Sequence, residues 1–471
     1  MKLTAWKVLS DGEMEVIHAK SLEILRRAGV RVLDTECRNL LAAAGAKPGA
    51  DGERVCVPPE LVEECRLSVP SSFHLYRAGG APVRIGADTR VFGSLVIDPW
   101  VIDYPTQKPR RPRLADVVRH TRLGEALPGV GFLHRMDMPP EDIQGDAAYV
   151  RTLEAFACNT TKPMLAAPAS LDTLQNWLEV AEILADGEPV SEKPRIIMGA
   201  PVTTPLTFDP LNAAIMKAGV RAGLPFCAQT EPIAGTTAPL SFAGGVLSAN
   251  CENLFLLVMS QLLKRGAAFT YSAGNALTEM STGGVVFYNA DKVLWKIASS
   301  QMAGFYDVPI AGESTGSMVG RHDTQNGIES ALLMLPAVLA GGGMFNGLGS
   351  CYNACGLSAE MIVIHADLVD LIGRIGSGMD ASERMLDMES IISVGPGGMF
   401  LTEPLTLEML RSGEFYTGGC FDRLGEQSPN RFEDSMLARA HATVEALSAR
   451  VPAVPEKTKA DIHRWAEEKA A

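Results

Sequence analysis

From about residue 130 onward the chain repeats one unit, a short β-prone run followed by an amphipathic helical stretch. That repeat leaves few folds open, because parallel strands need a crossover of a dozen or more residues, usually a helix. The runs that read as strands are Gly131–Met136, Met164–Ala167, Ile196–Ala200, Phe226–Thr230, Phe269–Ser272, Val308–Gly312 and Met344–Gly347. Between them Thr173–Ala185, Leu211–Ala222, Gly245–Lys264, Ala290–Gly304 and Gly327–Ala340 carry helical spacing. The pattern predicts an α/β chain, a (β/α)8 TIM barrel with an N-terminal α/β extension and C-terminal helices. A doubly wound open sheet is the alternative, but no GxGxxG turn follows an early strand.

The division expected is an N-terminal extension over residues 1–125, the barrel core over 126–380, and barrel closure with a C-terminal helical segment over 381–471. In the extension, Met14, Ile17, His18, Leu22 and Leu25 predict an amphipathic helix ending near Gly29. The segment VFGSLVIDPWVIDYP reads as strands joined by a turn, and Leu114 opens a helix. A formal charge of −13 without a basic stripe argues against a nucleic-acid partner. The apolar runs LFLLVMSQLL and ALLMLPAVLAGGGMF are too short or too broken to span a bilayer. Nine scattered cysteines with no CxxC pair indicate neither a disulfide framework nor a zinc ribbon. The expectation is a cytoplasmic protein with no membrane partner.

In a barrel the catalytic groups follow the C-terminal ends of the strands. Taken strand by strand, those positions hold His134 and Arg135, Thr203 and Thr204, then Gln229, Thr230 and Glu231. After these come Tyr271, Ser272 and Asn275, then Glu313, Ser314 and Thr315, and finally Phe345 and Asn346 with Tyr352 and Asn353 beyond. Serines, threonines and asparagines there often cap the next helix. Glu231 and Glu313 are harder to explain that way, since a carboxylate at a barrel mouth faces a partly dry pocket. Several chemistries lack their parts. No lysine ends a strand, no GxSxG elbow occurs, and the run Gly341-Gly342-Gly343 precedes a strand rather than a helix. His134 with Asp137, or Cys351 with Cys355, falls short of a metal set, so no metal is expected. Carboxylates, amides and the aromatics Tyr271, Phe287, Tyr288, Phe345 and Tyr352 remain, a set suited to a cation.

The runs EPIAGTTAPLSFAGGVLSANCENL, SQLLKRGAAFTYSAG and PIAGESTGSMVGRHDTQNGIESALLMLPAVLAGGGMFNGLG, with DYPTQKPRRPRLADVVRHTRLGEALPGV nearer the front, resemble the trimethylamine methyltransferase superfamily along nearly the whole chain. The resemblance implies a TIM barrel that moves a methyl group from a methylated amine to Co(I) of a corrinoid (cobalamin) carried by a separate partner protein, with a homo-oligomer possible. Founding members carry pyrrolysine in the loop after the sixth strand; here Ser314 to Gln325 holds ordinary residues, with Gly320 or a neighbour near that position. This departure points to the non-pyrrolysine branch and to a quaternary amine, with glycine betaine the leading donor. The expected catalytic residues are Glu231, Glu313 and Asn346. Gln229, Tyr271, Asn275, Phe345 and Tyr352 are expected to bind substrate. Arg321, His322 and Arg135 are the candidates for a betaine carboxylate. A non-catalytic barrel that binds or senses a quaternary amine is the competing reading, and a metal-dependent barrel lyase is a third.

Overall fold

The computed structural model describes residues 6–272, 274–416, 418–427 and 435–470. Eight parallel strands close a barrel: β1 Arg90–Leu95, β2 Val130–Met136, β3 Met164–Ala167, β4 Ile196–Ala200, β5 Phe226–Ala228, β6 Phe269–Ser272, β7 Ile310–Glu313 and β8 Gly343–Leu348. Each is followed by a barrel helix: α1 Leu114–Ala126, α2 Ala147–Ala157, α3 Leu171–Ala185, α4 Pro210–Ala222, α5 Phe242–Leu263, α6 Ala290–Phe305, α7 Thr324–Leu339 and α8 Ala359–Gly376. Local sequence sets the helix ends. Asp209 caps α4 by accepting from Asn212 N, Pro210 opens it, and Gly223 closes it at φ +81°.

The closing strand is where sequence reading and structure part. Closure was expected after residue 380, yet β1, which pairs with both β8 and β2, comes from residues 90–95. This strand is short and interrupted by Gly93, where a Cβ would strike the Phe132 ring at 2.3 Å. The run reads as a strand in the sequence, but it lacks the helix directly after it that marked the other barrel strands. The C-terminal helices Met436–Ser448 and Glu456–Ala470 lie outside the barrel, against α8 and α1 and against α2 and α3.

The preceding residues cover two surfaces. The hairpin Ser72–Leu75/Val83–Gly86 plugs the N-terminal end of the barrel, where Phe73, Leu75 and Ile85 join Phe132, Leu165, Ile197 and Met344 in one apolar cluster. The helices Asp11–Arg27 and Pro59–Arg66 pack on α5. Among the described residues α5 alone is long and apolar enough to cross a membrane, and 72% of its most apolar window is buried inside the protein. Its apolarity is that of a core helix covered from both sides.

At the opposite end, loops after the strands build a rim from two small sheets. One joins Ile233–Ala234, Ala276–Glu279 and Gly284–Val286; the other joins Ser350–Cys351, Gly356–Leu357, Trp100–Asp103 and Lys108–Arg110. Asn353 ties them together, its Oδ1 accepting from Phe287 N at 2.8 Å and its Nδ2 donating to Val285 O at 2.7 Å.

Candidate active site

Inside the rim lies a cavity of about 290 Å³, lined from the C-terminal ends of β2 to β8. Phe132, Leu165, Cys227, Ala311 and Met344 line its deeper part, and these also belong to the barrel's interior cluster. His134, Gln229, Thr230, Glu231, Ser272, Glu313 and Asn346 supply its polar wall, with Phe287 beside them. No lysine or arginine is among the described residues lining it.

Strand alternation decides which candidates reach this space, because successive side chains leave a strand on opposite faces. In β8, Met344 and Asn346 face the cavity. Phe345 between them turns outward and stacks on Phe92, with ring centroids 5.7 Å apart. In β6, Ser272 lines the cavity, while Tyr271 points outward and donates to Asn250 Oδ1 at 2.9 Å. Tyr271 and Phe345 are therefore wall residues between strands and helices, not substrate contacts. The same rule separates His134, which faces the cavity, from Arg135, which is buried outside it against Asp137 and the Trp177 ring.

Other expectations fail for different reasons. Arg321 is a surface residue paired with Asp323 at 3.0 Å, its side chain 67% exposed. His322 lies between Gln107 and Ser358. Asn275 is buried below the rim and donates to Gly245 O, fastening a loop to the start of α5. Tyr352 packs over Gly320, where a Cβ would meet its ring at 3.0 Å. The hydroxyl candidates are structural: Thr203 bonds Asp209, Thr204 bonds Glu252, Ser314 bonds Asn346 O, and Thr315 bonds Ser330 O. Of the eleven candidate site residues, Gln229, Glu231, Glu313 and Asn346 line the cavity. Gln229 can lie across the barrel because β4 carries Gly199, where a Cβ would approach its amide to 2.7 Å.

The structure adds Lys292 and Asp98, which the sequence reading did not name, and gives partners to Tyr288 and His134, which it named only as a candidate aromatic and a strand-end residue. Lys292, from the first turn of α6, reaches back to give Glu313 Oε2 an ion pair at 2.8 Å; only 2% of its side chain is exposed. Tyr288 donates to Glu313 Oε1 at 3.0 Å and sits against the bare backbone of Gly316, where a Cβ would fall 2.2 Å from its ring. Asp98, 1% exposed beyond β1, leaves Oδ2 without a partner. His134 takes a contact at Nδ1 from Asn346 Nδ2 at 3.0 Å, leaving its own Nε2 and Asn346 Oδ1 unpaired. Asp98 was hidden because its strand was read as part of the extension. Lys292 was hidden because it arrives from a helix rather than a strand.

These neighbours set the charges. Burial pushes the Glu313 carboxyl up, but the charge and hydrogen bond of Lys292, with Lys296 and Tyr288, outweigh it and hold the group below its usual range. Glu231 has no hydrogen bond or ion pair to any described residue. Burial raises its carboxyl to about 8, with Lys292 opposing and Glu313 reinforcing the shift. Burial also raises Asp98 well above the carboxylate range, with Glu313 adding to it, and lowers His134 to about 4, so that His134 is neutral at pH 7. The site thus holds one fixed carboxylate already balanced by a lysine, and a second carboxyl that burial keeps protonated for want of a counter-charge.

The backbone here is also constrained. Tyr352, Asn353 and Ala354 are consecutively left-handed, at φ +52°, +54° and +60°. Such residues cost roughly 1–2 kcal/mol each and persist only where the surroundings hold them. Hydrogen bonds from Tyr352 N to Val319 O and from Asn353 N to Ser317 O supply that hold, and Ala354 lines the cavity.

Comparison with known proteins agrees with this architecture. A solved monomethylamine methyltransferase from Methanosarcina barkeri shares the fold at TM-score 0.50 and 13% identity, covering 100% of this chain and 95% of that one. The glycine betaine methyltransferase of Desulfitobacterium hafniense (strain Y51) is 25% identical over 95% of this chain and 93% of its own length. The trimethylamine methyltransferase MttB of Desulfitobacterium hafniense (strain DSM 10664 / DCB-2) is 25% identical over 86% and 82%. The family model for trimethylamine methyltransferase (MTTB) matches residues 1–470. With the closed barrel, the mouth cavity and this match along the chain in view, the protein belongs to the trimethylamine methyltransferase family.

Proposed function

We propose that the protein transfers a methyl group from a quaternary amine, with glycine betaine the leading donor, to the Co(I) of a corrinoid held by a separate protein, without pyrrolysine. The observation that carries this reading is Glu231, a carboxylate facing the cavity with no partner of its own, beside Phe287 and above the apolar floor. A fixed positive charge is what such a group lacks, and an aromatic face adds attraction to it. The relative named for glycine betaine and the ordinary residues in Ser314–Gln325 support the choice of donor.

The chemistry asks little acid–base work of the chain. The acceptor's electron pair forms the new bond to the methyl carbon, the C–N bond breaks, and its electrons stay on nitrogen. The amine leaves neutral and needs no proton. The residues hold the methyl at the open end and exclude water from the other sides. Once the neutral amine has left, Glu231 takes up a proton from solvent through the open mouth and returns to its resting state. A donor carboxylate would find its hydrogen-bond partners in His134 Nε2 and Gln229, since Arg135, Arg321 and His322 lie elsewhere.

The test is methylation of free cob(I)alamin followed by its visible spectrum. The donors would be glycine betaine, proline betaine, carnitine, γ-butyrobetaine, choline and trimethylamine. Methylcobalamin from a quaternary amine and not from trimethylamine is the expected result. Methylation from trimethylamine alone, or from none of the panel, would overturn the proposal.

A further inference from the structure

Below its polar wall the mouth cavity is hollow where a barrel of this kind is normally filled. The wall stands one side-chain layer above an apolar floor, because each polar residue follows a floor residue by two positions. His134 lies above Phe132, Gln229 above Cys227, Glu313 above Ala311 and Asn346 above Met344. Bulky branched residues dominate such layers in most barrels. Here Cys227 and Ala311, with Gly312 beside them, leave the layer open, and its space belongs to the cavity of about 290 Å³. None of the floor residues, Phe132, Leu165, Cys227, Ala311 and Met344, carries a charge.

The depth of that layer fixes what fits it. Two strand residues rise about 6.6 Å, which the usual tilt of a barrel strand reduces to about 5 Å along the axis. Roughly four carbons of an extended chain span that drop. The plug fixes the direction. The hairpin closes the barrel from below, so the methyl to be transferred faces the mouth, and in-line attack puts the other substituents of nitrogen beneath it or to the side. A substituent with a single carbon before its carboxylate stays at the level of the wall, with His134 and Gln229. A longer one would carry its carboxylate down to the floor, where it would be desolvated without a partner. An uncharged hydrocarbon chain gains from the same burial, and the flexible Met344 can follow its shape.

We infer that the site takes a further class of methyl donor, quaternary amines whose non-reacting substituent is an uncharged hydrocarbon chain of about four carbons seated on this floor. The inference rests on the reading of the cavity as a quaternary-amine site and extends it. The transfer is the same as for a short donor. The C–N bond to one methyl breaks, its electrons stay on nitrogen, the methyl carbon bonds to the Co(I) acceptor, and an alkyldimethylamine leaves neutral.

Calorimetric titration of the full-length protein with trimethylammonium ions bearing ethyl, propyl, butyl, pentyl and hexyl chains tests it. Kd should fall about fourfold per added methylene up to about four carbons and then level off. γ-Butyrobetaine should bind roughly 100-fold more weakly than its uncharged isostere, 4-methylpentyltrimethylammonium. Butyltrimethylammonium should methylate cob(I)alamin and release butyldimethylamine. Ala311→Leu, which fills part of the floor, should end the ladder at a shorter chain. A Kd that stays flat or rises along the wild-type series overturns the inference, as does γ-butyrobetaine binding as tightly as its isostere; neither result touches transfer from glycine betaine. A folded Ala311→Leu protein that keeps the whole ladder also overturns it. If no member of the series binds and glycine betaine methylates nothing, the quaternary-amine reading itself falls.

Discussion

Glu231 and Glu313 follow two strands of one barrel and look onto one cavity, yet they stand in opposite charge states. Both are crowded by protein, and burial alone would keep both protonated. The difference is Lys292, which hydrogen-bonds one of them and acts on the other through its charge alone, where burial prevails. A carboxylate's position at a strand end therefore says little about its role; the groups arriving from other elements decide it. Glu313 is a fixed part of the wall, and on the proposed chemistry Glu231 is the group that responds to a ligand.

The largest expected effect comes from making the two alike. Lys292→Met leaves Glu313 buried without its cation and should cost about 3–5 kcal/mol of stability, read from the denaturation midpoint. Glu313 should then titrate upward, toward the range of Glu231. If the midpoint moves by less than about 1 kcal/mol, the pair is not what separates the two residues.

Glu231→Gln removes the ionisable group instead. The amide should weaken binding of a quaternary amine roughly 100-fold, by calorimetry, with no loss of melting temperature. Unchanged affinity would remove Glu231 from the site. Without ligand, Glu231 takes its proton more readily in the folded protein than in the unfolded chain, so its contribution to stability declines as pH rises from 4.5 toward about 8. The glutamine variant should lack that slope.

The same asymmetry predicts a proton released on binding. Below pH 8 a cation must ionise Glu231 before pairing with it, so affinity should improve by up to about tenfold per pH unit as pH rises and level off near 8. Calorimetric enthalpies in buffers of different ionisation heat count that proton. A count of zero at pH 7 would place the cation away from Glu231. The smallest effect concerns the backbone on the facing rim: Ala354→Gly relieves one left-handed residue and should stabilise the protein by about 1 kcal/mol.

How far the sequence could be read follows from what each signal encodes. The seven later barrel strands were legible because each is a short β-prone run followed by a helix of ordinary length. β1 was read as a strand but not as part of the barrel, because Gly93 gives its inner face to Phe132, two hairpin-like segments flank it and no helix follows it directly. Of the residues nominated at and just past strand ends, Gln229, Glu231, Glu313 and Asn346 line the cavity. Nominating adjacent residues without choosing a face added Tyr271 and Phe345, which belong to the outer layer. Arg321 was misjudged because a charge in a loop looks the same in sequence whether it faces a cavity or pairs with Asp323 two residues on. No local pattern marks Lys292 as a partner of Glu313, since the contact joins a helix start to a strand end 21 residues later.

The hairpin that plugs the barrel has a kinetic consequence. Phe73, Leu75 and Ile85 seal the cavity from below, so traffic passes through the rim alone. On the proposed chemistry the methyl acceptor covers that same opening. The donor must then enter first, the carrier must dock second, and the demethylated amine must wait for the carrier to depart. Turnover is thereby committed to a compulsory order, in which excess carrier slows the reaction by closing the door on an empty chamber.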